Sequence, residues 1–380
     1  MLDFSSIPMY ENHTHGLDDK AQYQPMEIWP FYLHGIKEGV PYRGMTAEET
    51  VLSNSVNLGL TRSVICMISK YLGCDATPEA VLEARNKLVA EIGTREYSHR
   101  LYRDANIIGT TVDMPWPLGD DREKEFGCPA YRLFRVEPLF DELLKTCASY
   151  EEMRARFEAS INEAIDAGYI GFKAHPGERY SFAVRHVTPE EAEAAFGARE
   201  TPEGEKTLYY ALFARLLKIC ERRDSIVHVH TGNSGSPLND QYLDRCNPML
   251  MIPFLNDPQY RCVPIALLHG DYPDIRVAAE MSHMYPNVCL DLSWPLPWVG
   301  LEFKQILRSA LAIAPHSKIL LGSGQNHIPE FSWAAAKIAR KALEGVMNEY
   351  VQDGLLTEEQ ARESAEMLLY RNAQRLYGLN

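Results

Sequence analysis

Glu11-Asn12-His13-Thr14-His15-Gly16 is the stretch on which the fold turns. The residues before it, Phe4 to Tyr10, are mostly apolar, and Gly16 closes the run. Successive side chains on a strand point to opposite faces, so residues i and i+2 share one face. The stretch therefore reads as a short buried strand that ends in two convergent imidazoles, which is a metal-ligand arrangement. If it is, later strands should end in matching ligands.

They do. Short β-rich runs recur from residue 106 onward: Asn106–Asp113, Tyr131–Glu137, Tyr169–Lys173, Ser225–Thr231, Val263–His269, Val288–Leu292 and Ile319–Ser323. With the first strand they make eight. Helical segments lie between them, with start signals at Ser149/Glu152, Thr188-Pro189/Glu191 and Thr357/Gln360. Strands alternating with helices predict a parallel sheet, and eight of them predict a closed α/β barrel. Residues 18–105 carry no strand signal of their own. Thr46/Glu49 and Thr77-Pro78 are helix starts, and Leu82, Leu88, Val89 and Ile92 recur at helical spacing. This segment reads as a helical insertion after the first strand, inside one barrel domain spanning 1–380.

In such barrels function sits at the carboxyl ends of the strands. His230 closes the fifth run, His269 the sixth and Lys173 the fourth. Neutral imidazoles suit Zn²⁺, with Mn²⁺ and Fe²⁺ as alternatives, and an open coordination position acidifies bound water. A pair of hydrogen-bonded structural histidines is the plain alternative for His13 and His15. His228, two residues before His230, reads as a core histidine or a support for a ligand.

Bulk properties exclude other classes. A net charge of −14 argues against a nucleic-acid backbone or an anionic membrane as partner. No secretory leader and no run of about 20 apolar residues is seen. The eight cysteines form no C-x-x-C pair and read as reduced thiols. The expected setting is the cytoplasm. The expected partners are a small-molecule substrate, a carboxylate among the candidates, and further copies of the chain in a homo-oligomer.

Several motifs then converge: Asn12-His13-Thr14-His15, Gly171-Phe172-Lys173 with Arg179 beyond it, His230-Thr231-Gly232, and Leu267-Leu268-His269 with Tyr272-Pro273. Asn287-Val288 leading to Leu290-Asp291, Pro329-Glu330, Asn372-Ala373 and Leu376-Tyr377 complete the set. With these the chain resembles the amidohydrolase superfamily of metal-dependent hydrolases, which have a distorted (β/α)₈ TIM barrel. It is most similar to the amidohydrolase 2 type, the branch that includes the domains fused to glutamine-synthetase-like proteins and the nodulin-related proteins. The resemblance implies that His13, His15 and His230 bind metal. Lys173, carboxylated, would bridge two ions, while His269 would bind a second ion or orient water. One or two ions are expected.

The implied reaction is attack of metal-bound hydroxide on an amide, lactone or related carbonyl. Family precedents leave a decarboxylase or a uronate-isomerase-like enzyme as alternatives. One position departs from the family. Its eighth strand ends in an aspartate, and here Gly324 stands in that place. A metal-binding protein without turnover is therefore a further alternative. Otherwise Asp271, His327 or Asn326 replaces the missing carboxylate, or the reaction needs no such base, and Gly324→Asp is expected to tighten metal binding or alter activity. Arg179 either clamps a substrate carboxylate or forms a salt bridge. Arg135 is expected to pair with Glu137 and shape the pocket. Trp294, in Trp294-Pro295-Leu296-Pro297-Trp298, is expected to line the pocket, and Asp113-Met114-Pro115-Trp116 offers an aromatic wall.

Overall fold

The computed structural model describes residues 2–33, 40–232, 243–324 and 327–379. Eight strands follow one another around a parallel sheet in chain order: β1 (Met9–Thr14), β2 (Ile107–Val112), β3 (Ala130–Arg135), β4 (Gly171–Ala174), β5 (Val227–His230), β6 (Ile265–Leu268), β7 (Val288–Asp291) and β8 (Ile319–Leu320). Each neighbouring pair from β1–β2 to β7–β8 is parallel. The seam between β8 and β1 is bridged by two backbone hydrogen bonds, Asn12 N–H to the Leu321 carbonyl (2.9 Å) and Gly324 N–H to the His13 carbonyl (2.9 Å). Gly322 permits this approach, because a Cβ there would lie 2.7 Å from the His13 nitrogen. The result is the α/β TIM barrel read from the sequence.

Helix starts sit where local chemistry puts them. Thr46, Thr188 and Thr357 each form a reciprocal capping box, and the Ser149 and Thr77 hydroxyls accept from the third residue of their helices. The elements described between β1 and β2 are all helical, and include Ala47–Asn57, Gly59–Leu72, Pro78–Ile92 and Thr94–Asp104. These helices share one hydrophobic core with the barrel, through Leu60, Val64, Ile68 and Tyr32. Helix Pro329–Gln352, which follows β8, anchors them. Its Glu330 is almost fully buried and takes Arg85 Nε at 3.0 Å and the Tyr97 hydroxyl at 3.0 Å. Its Trp333 donates to Asp104 (2.7 Å). No single helix among the described residues is long and apolar enough to cross a membrane.

The barrel floor is polar. The Tyr377 hydroxyl, from the last helix, donates to Asn12 Oδ1 at 2.7 Å and lies 3.0 Å from His228 Nε2. Asn12 in turn donates to Asp291 (2.5 Å), which also accepts the Ser293 amide at 2.8 Å and the Ser293 hydroxyl. His228 therefore packs and hydrogen-bonds beneath the strand ends, with its ring stacked on Tyr377 (5.9 Å).

Candidate metal centre

Five residues singled out from the sequence meet at the barrel mouth. The His13 ring lies 5.0 Å from His15 and 5.5 Å from His269, and His269 lies 4.5 Å from His230, centroid to centroid. The Lys173 amine is 3.3 Å from His13 Nε2. All but His15 are nearly or fully buried. The geometry of the first pair differs from ideal strand alternation. Pairing with β2 shifts register between Glu11 and Thr14, and His15 lies one residue past the strand. Its ring is fixed by a contact from Nδ1 to the Asp113 carbonyl (3.1 Å) instead.

Those contacts settle tautomers. A carbonyl accepts only, so His15 Nδ1 carries the proton and Nε2 keeps its lone pair. The same holds for His269, whose Nδ1 faces the Ser293 carbonyl at 3.1 Å. Burial pushes the imidazoles of His13, His230 and His269 well below the usual histidine range, and His15 down to about 4. At neutral pH all four are uncharged, the form that ligates metals. His13 Nδ1 is buried without a hydrogen-bond partner.

Asp113, at the end of β2, was read only as part of an aromatic stretch, yet it belongs to this site. One ligand atom from each of His13, His15 and Asp113 lies within 4.8 Å of the others. Burial works against the Asp113 carboxylate, but Lys173, His15 and Arg135 outweigh it and hold the group well below the usual carboxylate range. The strand-end rule that found His230 applies equally to Asp113. Two further residues were missed. The His175 ring, one residue past β4, stacks on His230 at 5.6 Å. Glu178, in the short turn Pro176–Arg179, brings Oε1 to 3.3 Å from His230 Nε2. His175 had the signal of i+2 spacing from Lys173; Glu178 had none.

One further expectation is corrected. Arg135 does not pair with Glu137. It forks onto Asp113, with Nε at 3.1 Å and Nη2 at 2.8 Å. The chain turns helical at Val136, so the strand ends two residues before the run suggested, and this carries Glu137 to His175 (2.7 Å to its amide, 3.2 Å to Nδ1) and the Tyr209 hydroxyl (2.7 Å). Burial alone would raise the Glu137 carboxyl; those bonds pull it down to about 2. Arg179 forms the salt bridge, to Asp141 and to Glu205 (3.0 Å). The His327 ring stacks on Phe31 of the helical segment at 4.7 Å. Asp271 follows His269 by two residues and is pushed up to about 8 by burial and by Asp274, with no site cation acting on it. Asn326 lies outside the described residues.

Gly324 has a steric reason. Its φ is +58°, and a Cβ would stand 3.0 Å from the Trp294 nitrogen and 3.2 Å from the Trp294 Cβ. Trp294 itself has φ of 73°, rare for a bulky residue. The end of β8 is thus filled by the Trp294 main chain, and an aspartate at 324 would be strained there.

A barrel carrying imidazoles at the ends of β1, β5 and β6, with a lysine on β4 and Asp113 beside them, presents a donor cluster of the kind that can hold a divalent ion. The family model described as amidohydrolase matches residues 135–379, and the chain belongs to that family. Protein fluG of Emericella nidulans (strain FGSC A4) is 32% identical over 248 residues, which is 61% of this chain. The chain spans only 28% of fluG. Among solved structures, a Lactobacillus casei ATCC 334 protein described as a metal-dependent hydrolase superposes with a TM-score of 0.83 at 20% identity, over 100% of this chain and 98% of that one. The uronate isomerase of Thermotoga maritima gives 0.72 at 15% identity, over 98% and 95%. The likeness to these structures is one of fold.

Proposed function

We propose that the chain is a metal-dependent hydrolase that opens an amide, lactone or related carbonyl bond of a small molecule. The observation that carries this reading is the cluster of buried, neutral imidazoles at strand ends with Asp113 beside them. His13, His15 and Asp113 would hold a divalent ion, Zn²⁺ first and Mn²⁺ or Fe²⁺ as alternatives, with His230 and His269 facing it. The donor set fits. It offers imidazoles of His15 and His269 whose tautomers present Nε2 as an acceptor, a buried His13 without a partner at Nδ1, and one carboxylate. Such an ion supplies Lewis acidity toward a carbonyl oxygen and toward water. Lys173 is a neighbour of Asp113 (3.9 Å) and His13, so we propose a single ion and an unmodified amine beside it.

The protein's own groups do the rest. Arg135 holds the Asp113 carboxylate in one orientation through its planar fork. Ser293 holds the His269 ring. Glu178 takes the proton that attacking water loses and passes it to the leaving group, the task the family gives to the missing eighth-strand aspartate. His175, held by Glu137, backs His230 on the same side. His327 and Asp271 are left out of this catalytic set for the placements given above.

Gly324 favours one second reading, a protein that binds metal and ligand without turnover. The two carboxylates at the site, Asp113 and Glu178, are why we place hydrolysis first. The fold by itself decides nothing, since an isomerase shares it. Glu178→Gln separates the readings. It should keep its metal and lose about 10²- to 10⁴-fold in kcat on an amide and lactone panel. A metal-replete wild-type protein inert across that panel would refute hydrolysis.

A further inference from the structure

A cavity of about 560 Å³, within the size range of small-molecule sites, is walled in part by two residues, Tyr272 and Trp294, that follow closely in sequence on groups of the metal centre. On the barrel side its wall is Tyr272, Trp294 and Trp298; on the helical side it is Tyr32, Leu58 and Leu60. Two covalent connections tie it to the site. Tyr272 follows His269 by three residues. Trp294 follows Ser293, whose carbonyl orients the His269 ring.

The wall is built to hold a plane. The Trp294 ring lies 5.3 Å from Tyr272, tilted by 56°, and 6.2 Å from Trp298, nearly parallel at 20°. Trp298 stacks in turn on Phe331 at 4.9 Å. A tryptophan at φ 73° stands in strained backbone. That cost is retained because Gly324 leaves room for it, at the very position where the family keeps a carboxylate. No lysine, arginine or histidine lies among the described lining residues, and the one charged side chain there is Glu302. Among the described lining residues a carboxylate or a sugar acid would meet one anion and no cation.

We propose that the substrate carries an aromatic ring next to its reacting carbonyl, and that the ring lodges in this cavity against Trp294, with the helical segment closing the other side. The carbonyl then faces the histidine cluster. This rests on the metal centre being the reaction site, and it names the substrate class that the centre serves. Trp294 becomes the residue that sets specificity, and the helical segment becomes half of the binding site.

The test uses the full chain and a probe that needs no metal. N-benzylacetamide titrated into metal-stripped protein should quench tryptophan fluorescence to saturation, while glucuronate should not. Trp294→Ala should weaken the benzyl probe by about tenfold, and Trp294→Phe, which keeps a ring, by about threefold or less. Ser63→Phe, on the helical wall, should block the probe while leaving zinc binding as in wild type. An unchanged affinity in both Trp294→Ala and Ser63→Phe overturns the proposal, as does glucuronate binding as tightly as the benzyl probe. Because the titration is done without metal, it stands apart from the metal assignment. Loss of zinc in His13→Ala without loss of probe binding keeps the cavity assignment, and zinc retained in that variant counts against the metal centre alone.

Discussion

The rim of the barrel divides into two unlike arcs. Around β1, β2, β4, β5 and β6 the strand ends carry His13, Asp113, Lys173, His230 and His269, buried and in mutual contact. Around β7 and β8 the corresponding space holds a tryptophan main chain and a glycine with positive φ. The same family position, the end of β8, is a ligand in one case and a spacer in the other. The difference teaches that loss of a ligand need not be decay of a site. Here the vacated volume is occupied by the residue that walls the neighbouring cavity.

Removing a ligand from the polar arc should have the largest effect. His13→Ala or His230→Ala should drop bound zinc from near one per chain to less than about a tenth after purification in supplemented medium. Elemental analysis decides it, and full retention would unmake the polar arc. Asp113→Asn should come next, weakening metal by at least about tenfold in a chelator competition, since it removes a charge and frees the Arg135 fork. If Asp113 merely neutralised Arg135 and Lys173, metal affinity would stay within about twofold of wild type.

On the apolar arc, Gly324→Ala and Gly324→Asp should each cost about 1–3 kcal/mol in urea unfolding, from the left-handed backbone and the contact with Trp294. Tighter zinc binding by Gly324→Asp without that cost would show that the arc is a ligand position after all. Glu137→Gln probes the support behind the polar arc. The folded carboxyl is held near 2, below its unfolded value of 4.5, so its stabilisation is present above about pH 5 and fades as pH falls toward 2. The variant should lose about 1–3 kcal/mol at pH 7, with the gap to wild type closing near pH 2–3. A gap that does not change with pH would detach Glu137 from His175. Smallest of all, Arg179→Ala should leave metal content and benzyl affinity unchanged, because its partially exposed pairs with Asp141 and Glu205 are worth about 1 kcal/mol or less.

The eight strands were legible because each is a short apolar run bounded by turn or helix-start signals, and the five principal site residues because they fall at the ends of those runs. What stayed hidden depended on backbone geometry or long-range packing. Glu137 was assigned to Arg135 on strand alternation, which ceases once Val136 begins a helix. Asp113 was legible by the same rule as His230 but was passed over in favour of the aromatic residues after it. Glu178 sits in a one-turn helix with no periodic signature. His327 was placed near the site from its distance along the chain to Gly324; its backbone does meet Gly16, next to His15, while the stacking of its ring on Phe31, about three hundred residues earlier, had no local signal. The role of Gly324 needed the path of Trp294, which no local pattern encodes.

Tyr377 links the end of the barrel's assembly to its beginning. Its hydroxyl hydrogen-bonds Asn12, the residue next to His13, across 365 positions of sequence. During synthesis the amino-terminal strand emerges first, yet the floor beneath its histidines is missing until residue 377 has left the ribosome. A chain that stopped short of Tyr377 would lack the hydroxyl that holds Asn12 and meets His228 beneath the strand ends.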